Sequence, residues 1–358
     1  MRISWVGLLV GFSALATTAV SAVGCSDDAE PAAAATSKAA APTKPSADPT
    51  TSTEEHNYAV RKIYFGDTDR SGAASRDAWR TFGFDLDGKN TNDKATASCK
   101  SAAETVTDGD DGIDNAFGSK LLPLALTVQS DLAARTNALL EAGNATTMLV
   151  VKGIDDKSIP QTNIGLSAQL FAAGKFSETG APTWSTADDW PVRPELLNGG
   201  TLAGGAKVRF SDAWIQSGQF ASGAPSTITV GLQMFGNAVE LSIHRAVVVF
   251  DHLAPGKVVN GTVAGVVNTE ELIAQVGPLA GRATTTLCPG TDLLTNILQT
   301  LRNASDMRID GSSDPSLDCD GISIALGFEA TEIGLPKTVA PPAGAPSPDP
   351  CVADAGTD

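Results

Sequence analysis

Val239-Glu-Leu-Ser-Ile-His-Arg-Ala-Val-Val-Val-Phe250 is the stretch whose reading decides the fold. Its period is two, the spacing of a strand, yet it is more apolar than one buried face requires. It is therefore expected to be a central strand covered on both sides. Its neighbours have the same period: 226–235 and 257–267, then 207–220, 164–171 and 146–154 toward the N-terminus, with 58–65 and 321–330 further out. Gly, Pro, Asn or Asp bounds each run. Many strands at short intervals with no helices between them give a mainly β fold, an antiparallel β-sandwich or barrel-like domain with a few peripheral helices.

The helices are expected at the margins. Asn115 can cap a run in which Phe117, Leu121, Leu124, Val128 and Leu132 recur at helical spacing. Segment 131–142 stops at Gly143-Asn144. Asn268 and Thr269 before Glu270-Glu271 start a helix ending near Gly277-Pro278, and 292–304 is amphipathic.

Before the first helix stands the densest chemistry in the chain, Asp108-Gly-Asp-Asp-Gly-Ile-Asp-Asn115. Asp108, Asp110, Asp111 and Asp114 repel one another in a folded loop unless a cation offsets them, and Ca²⁺ is the expected one. Two further acidic turns precede it, Asp67-Thr-Asp69 and Asp85-Leu-Asp87. Ca²⁺ takes six to eight oxygens, more than one short loop supplies, so the expected site pools these patches. The competing reading is ordinary solvated Asp-Gly turns. Asp67-Thr-Asp-Arg-Ser-Gly72 resembles the first half of an EF-hand or dockerin-type calcium loop, but Ala78 stands where that loop needs its terminal carboxylate. The third patch resembles a fragment of thrombospondin type-3-like repeats over about eight residues, without their repetition or cysteines.

At the N-terminus, Arg2 and an apolar run to Val20 form a targeting segment, with 1–24 as signal peptide. Ser21-Ala-Val-Gly-Cys25 follows. These five residues resemble the lipobox of bacterial lipoproteins, with Ala22 where Leu is usual; the resemblance implies acylation of Cys25 and a membrane anchor. Ser26 beside it implies outer-membrane or cell-surface delivery. Plain secretion with cleavage after Ala22 is the alternative. Acylating Cys25 leaves Cys99, Cys288, Cys319 and Cys351, an even set fit for disulfides in an exported protein. Cys288 with Cys319 is the expected pair, since they flank one helical segment.

An Ala/Pro/Thr-rich span, 25–56, is expected to be a disordered tether, and 339–358 a disordered Pro-rich tail. Between them, 57–338 forms a single β-rich domain, with acidic loops and helices in 57–143 and the sheet in 144–338. A formal charge of −16 excludes nucleic acid as a partner. His56 falls in the tether, and the eight-residue gap between His244 and His252 spans roughly 26 Å on a strand, too far to share a metal. Trp184, Trp190 and Trp214 are read as core, with stacking on sugar as the alternative. No recognised catalytic motif occurs. The expected function is a non-enzymatic surface binding or scaffold module stabilised by Ca²⁺, with a carbohydrate or protein ligand. The alternatives are a carbohydrate hydrolase with dispersed carboxylates and an envelope lipid-handling protein.

Overall fold

The computed structural model describes residues 39–176, 180–234, 237–342 and 350–351; the leader and Cys25 lie outside them. In chain order the strands are β1 (Glu55–Tyr64), β2 (Cys99–Lys100), β3 (Thr146–Lys152), β4 (Asn163–Ala173), β5 (Val208–Gln216) and β6 (Gln219–Ala221). There follow β7 (Ser226–Met234), β8 (Asn237–Ala254), β9 (Lys257–Asn268), β10 (Asp314–Asp318) and β11 (Gly321–Ile333). Four helices accompany them: α1 (Leu122–Val128), α2 (Leu132–Glu141), α3 (Thr269–Ala283) and α4 (Asp292–Asn303).

The main sheet runs β6-β5-β4-β3-β1-β11-β9-β8-β7, and β6 also pairs with β8. That last pairing closes eight antiparallel strands into a barrel and leaves β7 as an extra strand on the first half of β8. Closure decides between the two expected architectures in favour of the barrel. At the seam Phe220 stands opposite Phe250, and their rings stack with centroids 4.5 Å apart. The span 207–220, expected as one strand, is a hairpin: Ser217 and Gly218 both take positive φ, the backbone of a two-residue turn, and split it into β5 and β6.

β8 meets the expectation set by its sequence. Ala246, Val248 and Phe250 point into the barrel core with Tyr58, Leu149, Phe210 and Ile215. Val247 and Val249 face outward and are covered by Trp214, Ala221 and Phe84. Burial on both sides explains the unbroken apolar run, and each large side chain so buried contributes about 1.5–3 kcal/mol. Elsewhere the barrel wears further coats. Trp184, Trp190, Val192 and Leu197 pack outside β1, β3 and β4, and α3 with α4 covers Ala116 and Ile322. All three of these tryptophans are buried, as Trp214 is 7% exposed, Trp184 7% and Trp190 0%. Helix α3 runs through Pro278 rather than stopping there.

Three further expectations are corrected. The tether does not extend to residue 56: Ala39 is buried, Ala40 bridges to Asp85, Lys44 pairs with Asp212, and Thr50 donates its amide to Ile164. Without large side chains this strap still satisfies its backbone against the barrel. The C-terminal tail likewise starts docked, Ala340 donating to the Val192 carbonyl. Finally, Cys288 does not pair with Cys319. The bridges are Cys99–Cys319 and Cys288–Cys351, each with Cα atoms 5.3 Å apart. The parallel pairing of β10 with β2 delivers Cys319 to Cys99, a long-range contact that outweighs the nearness of Cys288 in sequence.

Candidate metal centre

The acidic loops gather at the barrel end where β1 finishes and β11 begins. Asp85 and Asp87 flank Leu86 in the turn after Phe84, and Asp114 precedes the first helical segment. One carboxylate oxygen from each of the three lies within 4.8 Å of the others. Two oxygens bound to one Ca²⁺ at 2.3–2.6 Å are at most about 5 Å apart, so the spacing fits a shared cation. Local hydrogen bonds fix the cluster. Asp114 Oδ2 accepts the Leu86 amide at 2.6 Å, Asp85 Oδ1 accepts Gly88 at 2.6 Å and Lys89 at 3.1 Å, and Asp87 Oδ1 accepts Lys89 at 2.9 Å. Asp108 accepts the Thr91 amide.

The electrostatics are one-sided. Burial pushes the Asp114 carboxyl well above its ordinary range, with Asp87, Asp306 and Asp108 adding repulsion. Burial also lifts Asp108 to about 7 and Asp306 to about 6, and raises Asp85. Among the described residues no Lys, Arg or His forms an ion pair with any of these five. Asp306, at the C-terminal side of α4, stands in no acidic motif and carries no signal in the sequence. It sits deep in the group because its carboxylate accepts both the amide and the hydroxyl of Ser323 on β11, at 2.8 and 2.5 Å.

The remaining sequence candidates fall elsewhere. Asp110 pairs with Arg80 at 2.9 Å, and Asp111 takes a positive φ in the turn before Gly112. Asp69 spends one oxygen on its own turn, accepting from Ser71 and Ala73. Asp67 lies in the same turn, outside the cluster. Beside the acidic group, Asn115 does more than cap. Its Oδ1 accepts the amides of Gly118 at 3.0 Å and Ala325 at 3.2 Å. Its Nδ2 donates to the carbonyls of Trp79 and Phe82. One buried side chain thus ties the first helical turn, the aromatic loop and β11 together.

A second group of titratable side chains occupies the opposite rim, where β1 begins and β3, β8 and β11 end. His56 belongs to β1 rather than to a tether, and it meets Asp156 and Glu332. His252 is fully buried beside Asp156. His244, by contrast, makes cross-strand and helix contacts with Thr227 and Glu271.

Between the two rims the bore holds an apolar cavity of about 80 Å³, lined by Tyr58, Leu149, Leu170, Val248, Phe250 and Leu326 among others. That is about half of the roughly 150 Å³ that accommodates one benzene. Among the described residues, no helix is long and apolar enough to cross a membrane. No family model, curated protein or solved structure matches the chain.

Proposed function

We propose that the chain is an exported, lipid-anchored and non-enzymatic barrel, displayed at the cell surface as a binding or scaffold module and stabilised by Ca²⁺. The observation that carries the metal reading is the convergence of Asp85, Asp87 and Asp114, with Asp108 and Asp306 beside them and no basic partner. Uncompensated burial of several carboxylates is costly, and a divalent cation removes the cost. The crowding supports ligation over glycoside hydrolysis, which needs carboxyls about 5–9.5 Å apart across a gap that admits a sugar. The narrow bore supports a scaffold over a lipid carrier. The anchor rests on Cys25 and the even set of cysteines that remains once it is set aside.

The test is thermal unfolding of the full chain in EDTA and in millimolar Ca²⁺. A Tm higher by several degrees in Ca²⁺, abolished by Asp114→Asn, is expected, since a ligand at a hundred times its Kd stabilises by about 2.7 kcal/mol. Equal melting in EDTA and Ca²⁺ would remove the metal from the reading. Mass spectrometry of the mature N-terminus tests the anchor separately: an acylated Cys25 is expected, and an unmodified start at Val23 refutes it.

A further inference from the structure

The rim opposite the acidic loops gathers two imidazoles and two carboxylates from four separate elements. His56 comes from the start of β1, Asp156 from the loop after β3, His252 from the end of β8 and Glu332 from the end of β11. A ring nitrogen of His56 and one oxygen each of Asp156 and Glu332 lie within 4.8 Å of one another. His56 Nδ1 stands 2.8 Å from Glu332 Oε1, and His252 Nε2 stands 3.0 Å from Asp156 Oδ1.

Hydrogen bonding leaves this group incomplete. His252 is 0% exposed; its Nε2 has only the Asp156 oxygen 3.0 Å away beside it, and its Nδ1 has no hydrogen-bond partner. His56 Nε2 is buried without a hydrogen-bond partner as well. Such orphaned groups each cost about 1–3 kcal/mol and call for an explanation. Lone pairs of His56, Asp156 and Glu332 converge within 4.8 Å, and His252 reaches the group through Asp156, which together offer a donor set for a metal ion.

We propose that His56, His252, Asp156 and Glu332 bind a single divalent transition metal of the Zn²⁺ class. Imidazole nitrogen selects such ions over Ca²⁺, whose ligands are oxygens. With bonds of 2.0–2.1 Å a tetrahedral ion sets neighbouring donors about 3.4 Å apart. The two near pairs then open by a few tenths of an ångström, and the gap between pairs closes onto the ion. With Nε2 of His56 as the ligand, Nδ1 faces Glu332 at 2.8 Å, a carboxylate that can orient the ring through one oxygen while the other ligates. Tyr58 flanks both imidazoles, its ring centroid 6.0 Å from each, and walls the site from the apolar bore. Entry is from solvent through the carboxylates, whose side chains are 25% exposed in Asp156 and 19% in Glu332.

This site is independent of the Ca²⁺ reading, and the experiment keeps the two apart. Full-length protein is stripped with chelator, saturated with Ca²⁺ and titrated with Zn²⁺ by calorimetry; Co²⁺ then serves as the spectroscopic probe. One Zn²⁺ per chain is expected, together with visible Co²⁺ absorption of a four-coordinate nitrogen–oxygen site. Both should persist in Asp114→Asn and weaken at least about tenfold in His252→Gln and Glu332→Gln. Should His252→Gln fail to fold, Glu332→Gln carries the test, since its position is partly exposed. No stoichiometric Zn²⁺ in the Ca²⁺-saturated protein overturns the proposal. So does Zn²⁺ binding that is lost in Asp114→Asn but unchanged in Glu332→Gln.

Discussion

Asp108 and Asp306 set the protein's response to pH. Each is protonated in the folded, metal-free state to a higher pH than in the unfolded chain, where an Asp titrates near 3.9. Between about pH 4 and pH 7 the folded state therefore binds more protons, and stability falls as pH rises through that window, by an amount on the order of a few kcal/mol. Ca²⁺ bound at the proposed site would take the place of the protons and reverse the trend. In EDTA the Tm is expected to drop from pH 5 to pH 7.5, and Ca²⁺ to restore more at the higher pH. A metal-free Tm that climbs steadily over the same range contradicts the buried-carboxylate account. Asn115 is the other residue with leverage. Asn115→Ala leaves two amides and two carbonyls without their shared partner, an expected loss of about 2–4 kcal/mol in urea unfolding. From sequence its capping role was legible, because Asn before a periodic apolar run is a local signal. The partners on Trp79, Phe82 and Ala325 were not, being set by tertiary packing. His56 and His252 escaped for the same reason: the barrel joins β1 to the β8 end, and no spacing along the chain encodes that meeting.

Among the elements, the eight main runs of alternating residues were readable because each buries one face or both. The closure was not. It depends on β6, only three residues long, and on Ser217-Gly218, a turn signal inside what looks like one continuous run. Gly218 has φ +83, and a Cβ there would meet Leu253 Cδ2 at 2.8 Å and the His252 carbonyl at 3.1 Å. Gly218→Val is expected to destabilise by about 1–3 kcal/mol, read as a lower urea midpoint with an unchanged slope. A neutral outcome would mean that the turn can rearrange without opening the seam. The strap over 39–54 was invisible for a different reason. Its composition cannot make a core, but a segment can lie ordered against a core that others make, through backbone hydrogen bonds and small side chains. β2 and β10 are too short and polar to register as strands, and with them went the pairing of Cys99 to Cys319.

For the molecule as a whole, closing eight strands removes the barrel's own edges, leaving that of the extra strand β7, and places its chemistry at the two rims. The bore is a packed core around a small void of about 80 Å³, so the full chain should take up no fluorescent fatty acid at micromolar concentration. Saturable uptake, displaced by unlabelled fatty acid, would show that the interior expands to hold a guest. The rims are held apart by the length of the strands: Ser323 supports the acidic group and Glu332 lies in the other, nine residues on, roughly 30 Å along β11. An ion at one rim therefore has no contact with an ion at the other, and each should contribute to stability additively.

The two disulfides also interlock along the chain. The loop from Cys99 to Cys319 and the loop from Cys288 to Cys351 overlap, so every peptide bond from 99 to 351 lies inside at least one covalent ring. A protease that cuts once anywhere in that interval cannot release a fragment. A copy nicked there stays whole in mass until a reductant separates the pieces.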